Sequence, residues 1–209
     1  SFDCILFADV LEHLINPLLA LIKVRRLLKK GGTVVASIPN VQFHGVIHQL
    51  IEGNWTYEKE GILDETHLRF FTYKEIEKIF SQAGYSIQKV EEVLDPQYDK
   101  FSLNNNTDLN FGRTQIKDLS PEEIKRFFVF QYLVIAEPIN VNKNEENDMF
   151  QHEEALFKID NLLLEASKTA ELGEHEAALK IYDEIIKVFP DNVAALSGMG
   201  NSFMKLQLP

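Results

Sequence analysis

The chain has 209 residues and carries 21 basic against 32 acidic side chains, a formal net charge of -11, with 45% hydrophobic and 11% aromatic residues. This composition excludes a disordered or fibrous chain and suits one globular domain plus a smaller unit. The single cysteine, Cys4, excludes an internal disulfide framework. No Cys/His cluster has structural-zinc spacing, and no apolar run reaches the roughly 18 to 20 residues of a membrane-spanning helix. A cytoplasmic protein with no metal and no membrane span is expected.

Phe2 to Ala8 is a short apolar run, as in a parallel-sheet strand buried on both faces. Asn16 and Pro17 provide a cap and a first-turn proline for a helix carrying Leu18, Leu21, Ile22, Val24, Leu27 and Leu28, expected to stop at Gly31 and Gly32. Thr33 to Ile38 is a second buried strand. Strand, helix and strand in succession imply a right-handed crossover and an α/β fold class. The basic cluster Lys23, Arg25, Arg26, Lys29 and Lys30 reads as a solvated face near a helix C-terminus.

A short helix around Val46 to Ile51 precedes the aromatic and charged segment GNWTYEKEGILDETHLRFFT. Thr72 and Glu75 then form a capping box for a helix to Ala83, and Gly84 ends it before a strand near Tyr85 to Val90. Asp95 to Asp118, including Asn104, Asn105 and Asn106, is expected to be a flexible polar insertion. Ser120, Pro121 and Glu123 cap a further helix. The apolar run Phe128 to Ala136 is expected to return antiparallel to the preceding strand.

The first domain is therefore assigned to residues 1–138, followed by a polar linker over 139–150 and a helical segment over 151–209. Splitting at Pro138 leaves 15 basic and 19 acidic residues before the cut and 6 and 13 after it. Neither part is basic, so nucleic acid is not an expected partner. In the helical segment, Leu162, Ala166, Thr169 and Leu172 match Leu196, Gly200, Phe203 and Leu206 at an offset of 34 residues, the tetratricopeptide period. Gly173, Ala178, Tyr182 and Pro190 fall where that repeat places its turn, small crossing residue, aromatic and terminal proline. Residues 159–192 thus resemble one full repeat followed by the first helix of another, a module for a protein partner. Glu165 and Thr169 depart from the pattern.

The sequence Asp9-Val10-Leu11-Glu12-His13-Leu14 lies at the carboxyl end of the first strand, where open α/β sheets bind ligands. Asp9 and Glu12 could complement a cationic ligand, and His13 is the right type for a proton acceptor near neutral pH. The same residues also suit a plain helix N-terminus with His13 packed against it.

DVLEHL after a strand, LLKKGG, TVVASIPN and GILDETHLRFFT, in that order, resemble the second half of class I S-adenosylmethionine-dependent methyltransferases, over Ser1 to about Pro138. The likeness is closest to the bacterial branch with the signature LD-x-TH-x-RFFT. The resemblance implies a partial Rossmann-like sheet, last strands only, with a final antiparallel hairpin. It implies that Asp9, Val10 and Glu12 border the cofactor and that Asn40 faces the same crevice. His67, Arg69 and Asp64 would lie in the loop that covers a small polar or carbohydrate-linked acceptor.

For a hydroxyl acceptor, His13 or His67 is the implied base and Arg69 an anion clamp; an ion pair of the loop with Asp64 or Glu65 is the structural alternative. Trp55 and Tyr57 either wall the acceptor pocket or anchor the loop. The glycine-rich cofactor loop of that family is absent from this chain, and Gly198-x-Gly200 lies in a repeat helix. The chain reads as a fragment, expected to be inactive alone and to associate through the exposed edge of its first strand. The competing reading is a non-catalytic interaction protein with a degenerate α/β half.

Overall fold

The computed structural model describes residues 1–102, 107–112, 114–139 and 143–206. Asn104 to Asn106 and the linker positions 140–142 lie outside them. The chain divides into two compact units, Ser1–Asn140 and Val141–Pro209.

The first unit is built on β1 (Phe2–Ala8), β2 (Leu28–Pro39), β3 (Tyr85–Leu94) and β6 (Val129–Pro138), in the order β1-β2-β6-β3. β1 pairs parallel to β2, while β6 runs antiparallel to both of its neighbours. The expected antiparallel return is therefore present, and β6 inserts between β2 and β3. Helices α1 (Pro17–Arg25) and α3 (Tyr73–Gln82) supply Leu21, Ile22, Ile76, Ile79 and Phe80 to a core that includes Val34, Ala36, Ile38, Val134 and Ala136 of the sheet. Burial along β2 alternates between full and partial, the mark of a sheet covered closely on one face.

β1 lies at the sheet edge, as expected, but its burial on both faces is corrected: only Phe7 is buried, and Leu6 and Phe2 are 65% and 54% exposed. Apolar composition alone does not distinguish a strand covered on both faces from an edge. A second correction concerns Gly31 and Gly32. Helix α1 ends already at Arg25, and the two glycines lie inside β2. The pairing passes from Phe2↔Leu28 to Cys4↔Thr33, so β2 bulges there. Gly31 takes φ 75, and a Cβ on Gly32 would lie 3.0 Å from the carbonyl oxygens of both Phe2 and Lys29.

α2 (His44–Ile51) follows β2, and α3 begins where expected, with Thr72 Oγ1 accepting from the Glu75 N–H at 3.5 Å. The reciprocal capping box is complete at α5 (Pro121–Phe128), through Ser120 and Glu123. The segment expected to be a flexible insertion carries α4 (Gln97–Ser102) and a hairpin of β4 (Leu109–Phe111) and β5 (Thr114–Ile116). Leu109 and Phe111 pack with Ile124, Phe127 and Phe128 in a small second core. Polar composition hid it, because two or three apolar side chains suffice to anchor a short hairpin on a helix.

The second unit consists of α6 (Lys143–Glu171), α7 (His175–Val188) and α8 (Val193–Leu206). α6 starts at Lys143, so most of the segment expected to be a linker is helical. Ile139 is also tied down, its N–H donating to the Gly84 carbonyl at 2.9 Å and its own carbonyl accepting from Arg25 at 2.6 Å. Gly173 turns the chain at φ 84 between α6 and α7. Ile159, Ala166, Ala178, Tyr182, Ile185 and Ala195 form the core of this unit. Among the described residues, no helix is long and apolar enough to cross a membrane.

Candidate functional site

At the carboxyl end of β1, Asp9 takes a left-handed backbone conformation, φ 52, which costs a residue with a Cβ and needs outside support. Its N–H donates to Ser37 Oγ at 2.9 Å, and its Oδ1 accepts from the Ser37 hydroxyl at 3.1 Å and from the Gln131 amide. The reversal leads into a single 3-10 turn, Leu11–His13. That turn buries Leu11 completely and leaves Glu12 only 1% exposed.

The loop from Ile62 to Phe71 closes over this turn. The N–H groups of Leu68 and Arg69 both donate to the Glu12 carbonyl, at 2.8 and 2.9 Å. Val41 N–H donates to the Phe71 carbonyl at 2.9 Å, which ties the far end of the loop to the exit of β2. His67 is thereby carried 54 positions along the chain to His13, with ring centroids 4.7 Å apart in an edge-to-face arrangement.

Each imidazole is oriented by a backbone oxygen. His13 Nδ1 lies 3.2 Å from the Thr66 carbonyl and 3.1 Å from Thr66 Oγ1. His67 Nδ1 lies 2.9 Å from the Ile62 carbonyl. A carbonyl can only accept, so Nδ1 carries the proton in both rings and Nε2 offers the lone pair. Close to both lies the Glu12 carboxylate, neither oxygen of which has a hydrogen-bond partner. Its Oε1 is 4.0 Å from His67 Nε2. Burial pushes the Glu12 carboxyl above its ordinary range, with Asp9 adding to the effect, against the opposing pull of its own N–H and the two imidazoles.

The expected site residues divide into two groups. Glu12, His13 and His67 converge, with Asp9 holding the turn and Val10 packed against the core. The others serve the backbone. Asn40 is fully buried: its amide donates to the carbonyls of Arg126 at 2.9 Å and Val129 at 2.7 Å, and its Oδ1 accepts from the Gln42 N–H at 3.0 Å. Its polar atoms are thus spent on the backbone.

Arg69 donates to the carbonyls of Leu68 at 2.8 Å and Ile15 at 2.6 Å, so it pins the loop through backbone oxygens where an anion clamp or an ion pair with Asp64 or Glu65 was expected. Asp64 accepts from the N–H and hydroxyl of Thr66, and these bonds hold its carboxyl below the usual range. Thr66, Ser37 and Gln131 complete the site without a local signal of their role: Thr66 stands inside the segment DETH, whereas Ser37 and Gln131 meet Asp9 only across the sheet.

Trp55 lines a cavity of about 490 Å³ together with Gln42, Leu50, Tyr73 and Arg126. The Phe70 ring stands 5.4 Å from Trp55, 6.4 Å from Tyr57 and 6.4 Å from His67, so one aromatic chain runs from the cavity wall to the histidine pair. Trp55 and Tyr57 are 40% and 50% exposed.

Residues 1–90 match a family model described as a methyltransferase domain. No curated protein matches. Among solved structures, the chain is similar to a Haloferax volcanii protein assigned as a methyltransferase, determined in complex with a methyltransferase activator. The identity is 17%, the TM-score 0.38, and the match covers 68% of this chain and 56% of that one. It is also similar to a Bacillus halodurans protein assigned as a methyltransferase, at 15% identity and TM-score 0.37, covering 67% of this chain and 65% of that one. The chain thus spans less than two thirds of the length of either.

Proposed function

We propose that the first unit is the acceptor-binding part of an S-adenosylmethionine-dependent methyltransferase acting on a small polar or carbohydrate-linked hydroxyl, and that the second is a tetratricopeptide-type module that recruits a protein partner. The observation that carries this reading is the His13–His67 pair, each Nδ1 turned to a backbone carbonyl, at the end of β1 within the span that matches a methyltransferase domain.

The donor, when bound, supplies an electrophilic methyl group on a sulfonium. Its nucleoside finds no cradle among the described residues: no glycine-rich turn follows a strand, and Gly198 lies in α8 against the Tyr182 ring. What these residues do is act on the acceptor. Nε2 of His13 or His67 takes the hydroxyl proton, a contribution of about 10²- to 10⁴-fold. The Glu12 carboxylate favours the imidazolium that results. Asp9, Arg69 and Asn40 keep the turn and loop in register, and such positioning is worth roughly 7 to 11 kcal/mol in well-oriented reactions. The cavity behind Phe70, with Trp55 in its wall, has the size of a small ligand site.

The 34-residue register, the Gly173 turn and the packing of Tyr182 on Gly198 support the repeat assignment for α6 to α8. The expenditure of Asn40 and Arg69 on backbone carbonyls favours the alternative, a non-catalytic interaction protein. Methyl transfer from tritiated S-adenosylmethionine to a panel of hydroxyl acceptors by the intact gene product decides between them. Transfer that falls by about 10²-fold or more in His67→Ala supports the enzyme. Absence of transfer, or transfer indifferent to both histidines, refutes it.

A further inference from the structure

The geometry points to a site for one divalent transition-metal ion of the Zn²⁺ or Co²⁺ type, held by the Glu12 carboxylate and the Nε2 atoms of His13 and His67. Three observations converge on it. A ligand atom from each of the three residues lies within 4.8 Å of the other two. The Glu12 side chain is 1% exposed and points into the cluster with neither oxygen hydrogen-bonded and His67 Nε2 only within 4.0 Å, although a buried carboxylate without hydrogen bonds is among the costliest groups in a fold. The third is the outer support. Both imidazoles face a backbone carbonyl through Nδ1, the tautomer-fixing contact that metal-bound histidines make.

The ligand set selects the ion. Two imidazoles and one carboxylate suit zinc, cobalt, nickel or ferrous iron, whereas Mg²⁺ prefers an all-oxygen shell and retains its water. Bonds of about 2.0 to 2.1 Å to a tetrahedral ion would place the ligand atoms about 3.4 Å apart. The 4.0 Å between Glu12 Oε1 and His67 Nε2 thus needs only a small side-chain adjustment. Three protein ligands leave a fourth position, and half-buried His13 marks the side open to it. An oxygen bound there would lose its proton more readily. With an ion bound, both Nε2 lone pairs are taken and neither imidazole serves as the base, so the two roles belong to different states of the site; ion binding does not depend on the methyltransferase reading and is measured without any methyl donor.

The test is titration of the metal-stripped full chain with Co²⁺, followed by its visible absorption and by calorimetry, with Mg²⁺ as competitor. One Co²⁺ per chain, resistant to Mg²⁺, is expected. Binding should weaken by more than about 100-fold in Glu12→Gln and in His13→Ala, beyond what loss of an outer-shell partner costs. His48→Ala, outside the cluster, should bind as the parent does. His13 is half-buried at the edge of the turn, so its variant keeps the test open should Glu12→Gln fail to fold. In the parent chain, paramagnetic shifts confined to the rings of His13 and His67 would support the site independently. Absence of binding, binding unchanged in both variants, or equal displacement by Mg²⁺ would overturn the assignment.

Discussion

Gly198 and Gly200 lie two residues apart in α8 yet should respond oppositely to alanine. A Cβ on Gly198 would stand 2.3 Å from Tyr182 Cζ, 2.5 Å from its Oη and 2.7 Å from Cε1. Carbon atoms in contact sit about 3.5 to 4.0 Å apart, so the ring must retreat by more than an ångström. Tyr182 is only 5% exposed and packed among Ile159, Ala166, Ala178 and Ile185, which leaves it little room. Overpacking of this kind costs about 1 to 3 kcal/mol, while alanine regains about 1 kcal/mol of helix propensity. Gly198→Ala should therefore destabilise by about 1 kcal/mol.

Gly200 has no heavy atom within 4 Å of its virtual Cβ, so Gly200→Ala keeps the propensity gain and should stabilise by about 1 kcal/mol. In a Tyr182→Leu background the clash disappears, and Gly198→Ala should become neutral or stabilising. Denaturant unfolding followed by circular dichroism at 222 nm reads the four variants. Trp55 fluorescence reports the first unit in the same samples. A stabilising Gly198→Ala in the parent chain, or a coupling to Tyr182 below about 0.5 kcal/mol, would refute the packing argument.

Three further perturbations test the first unit. Tyr85→Phe removes the hydroxyl that donates to the Leu21 carbonyl at 3.0 Å in the core, and chemical denaturation should report a loss of about 1 kcal/mol; an unchanged midpoint would count against that bond. Asn40→Ala orphans buried carbonyls of Arg126 and Val129, and a loss of about 2 to 4 kcal/mol is expected in the same assay, against near-neutrality if the clamp is dispensable.

Glu123 is held below the ordinary glutamate range by the Ser120 hydroxyl and then by its N–H. Its stabilising effect is thus present above the unfolded-state value and disappears as pH falls through the lower folded-state value. Carboxyl titration by NMR should find Glu123 depressed in the parent and returned towards the ordinary range in Ser120→Ala. A value indifferent to that change would remove the capping box as its cause.

Local chemistry alone determined several features. Thr72 and Gly84 bracket α3, Ser120-Pro121 starts α5, and the apolar run after α5 returns as an antiparallel strand. These features depend on capping groups and turns within a few residues, which a linear reading reaches directly. His13 and His67 are each marked as a possible proton acceptor by the motif in which they stand, but nothing in the sequence brings the two rings together. Only the tertiary structure decided that Glu12 would be buried without a hydrogen bond, that Asn40 and Arg69 would spend their donors on carbonyls distant in sequence, and that Gly31 and Gly32 would bulge a strand. Burial and hydrogen-bond pairing are properties of what lies across space, and the partners of these groups come from segments up to 89 positions away.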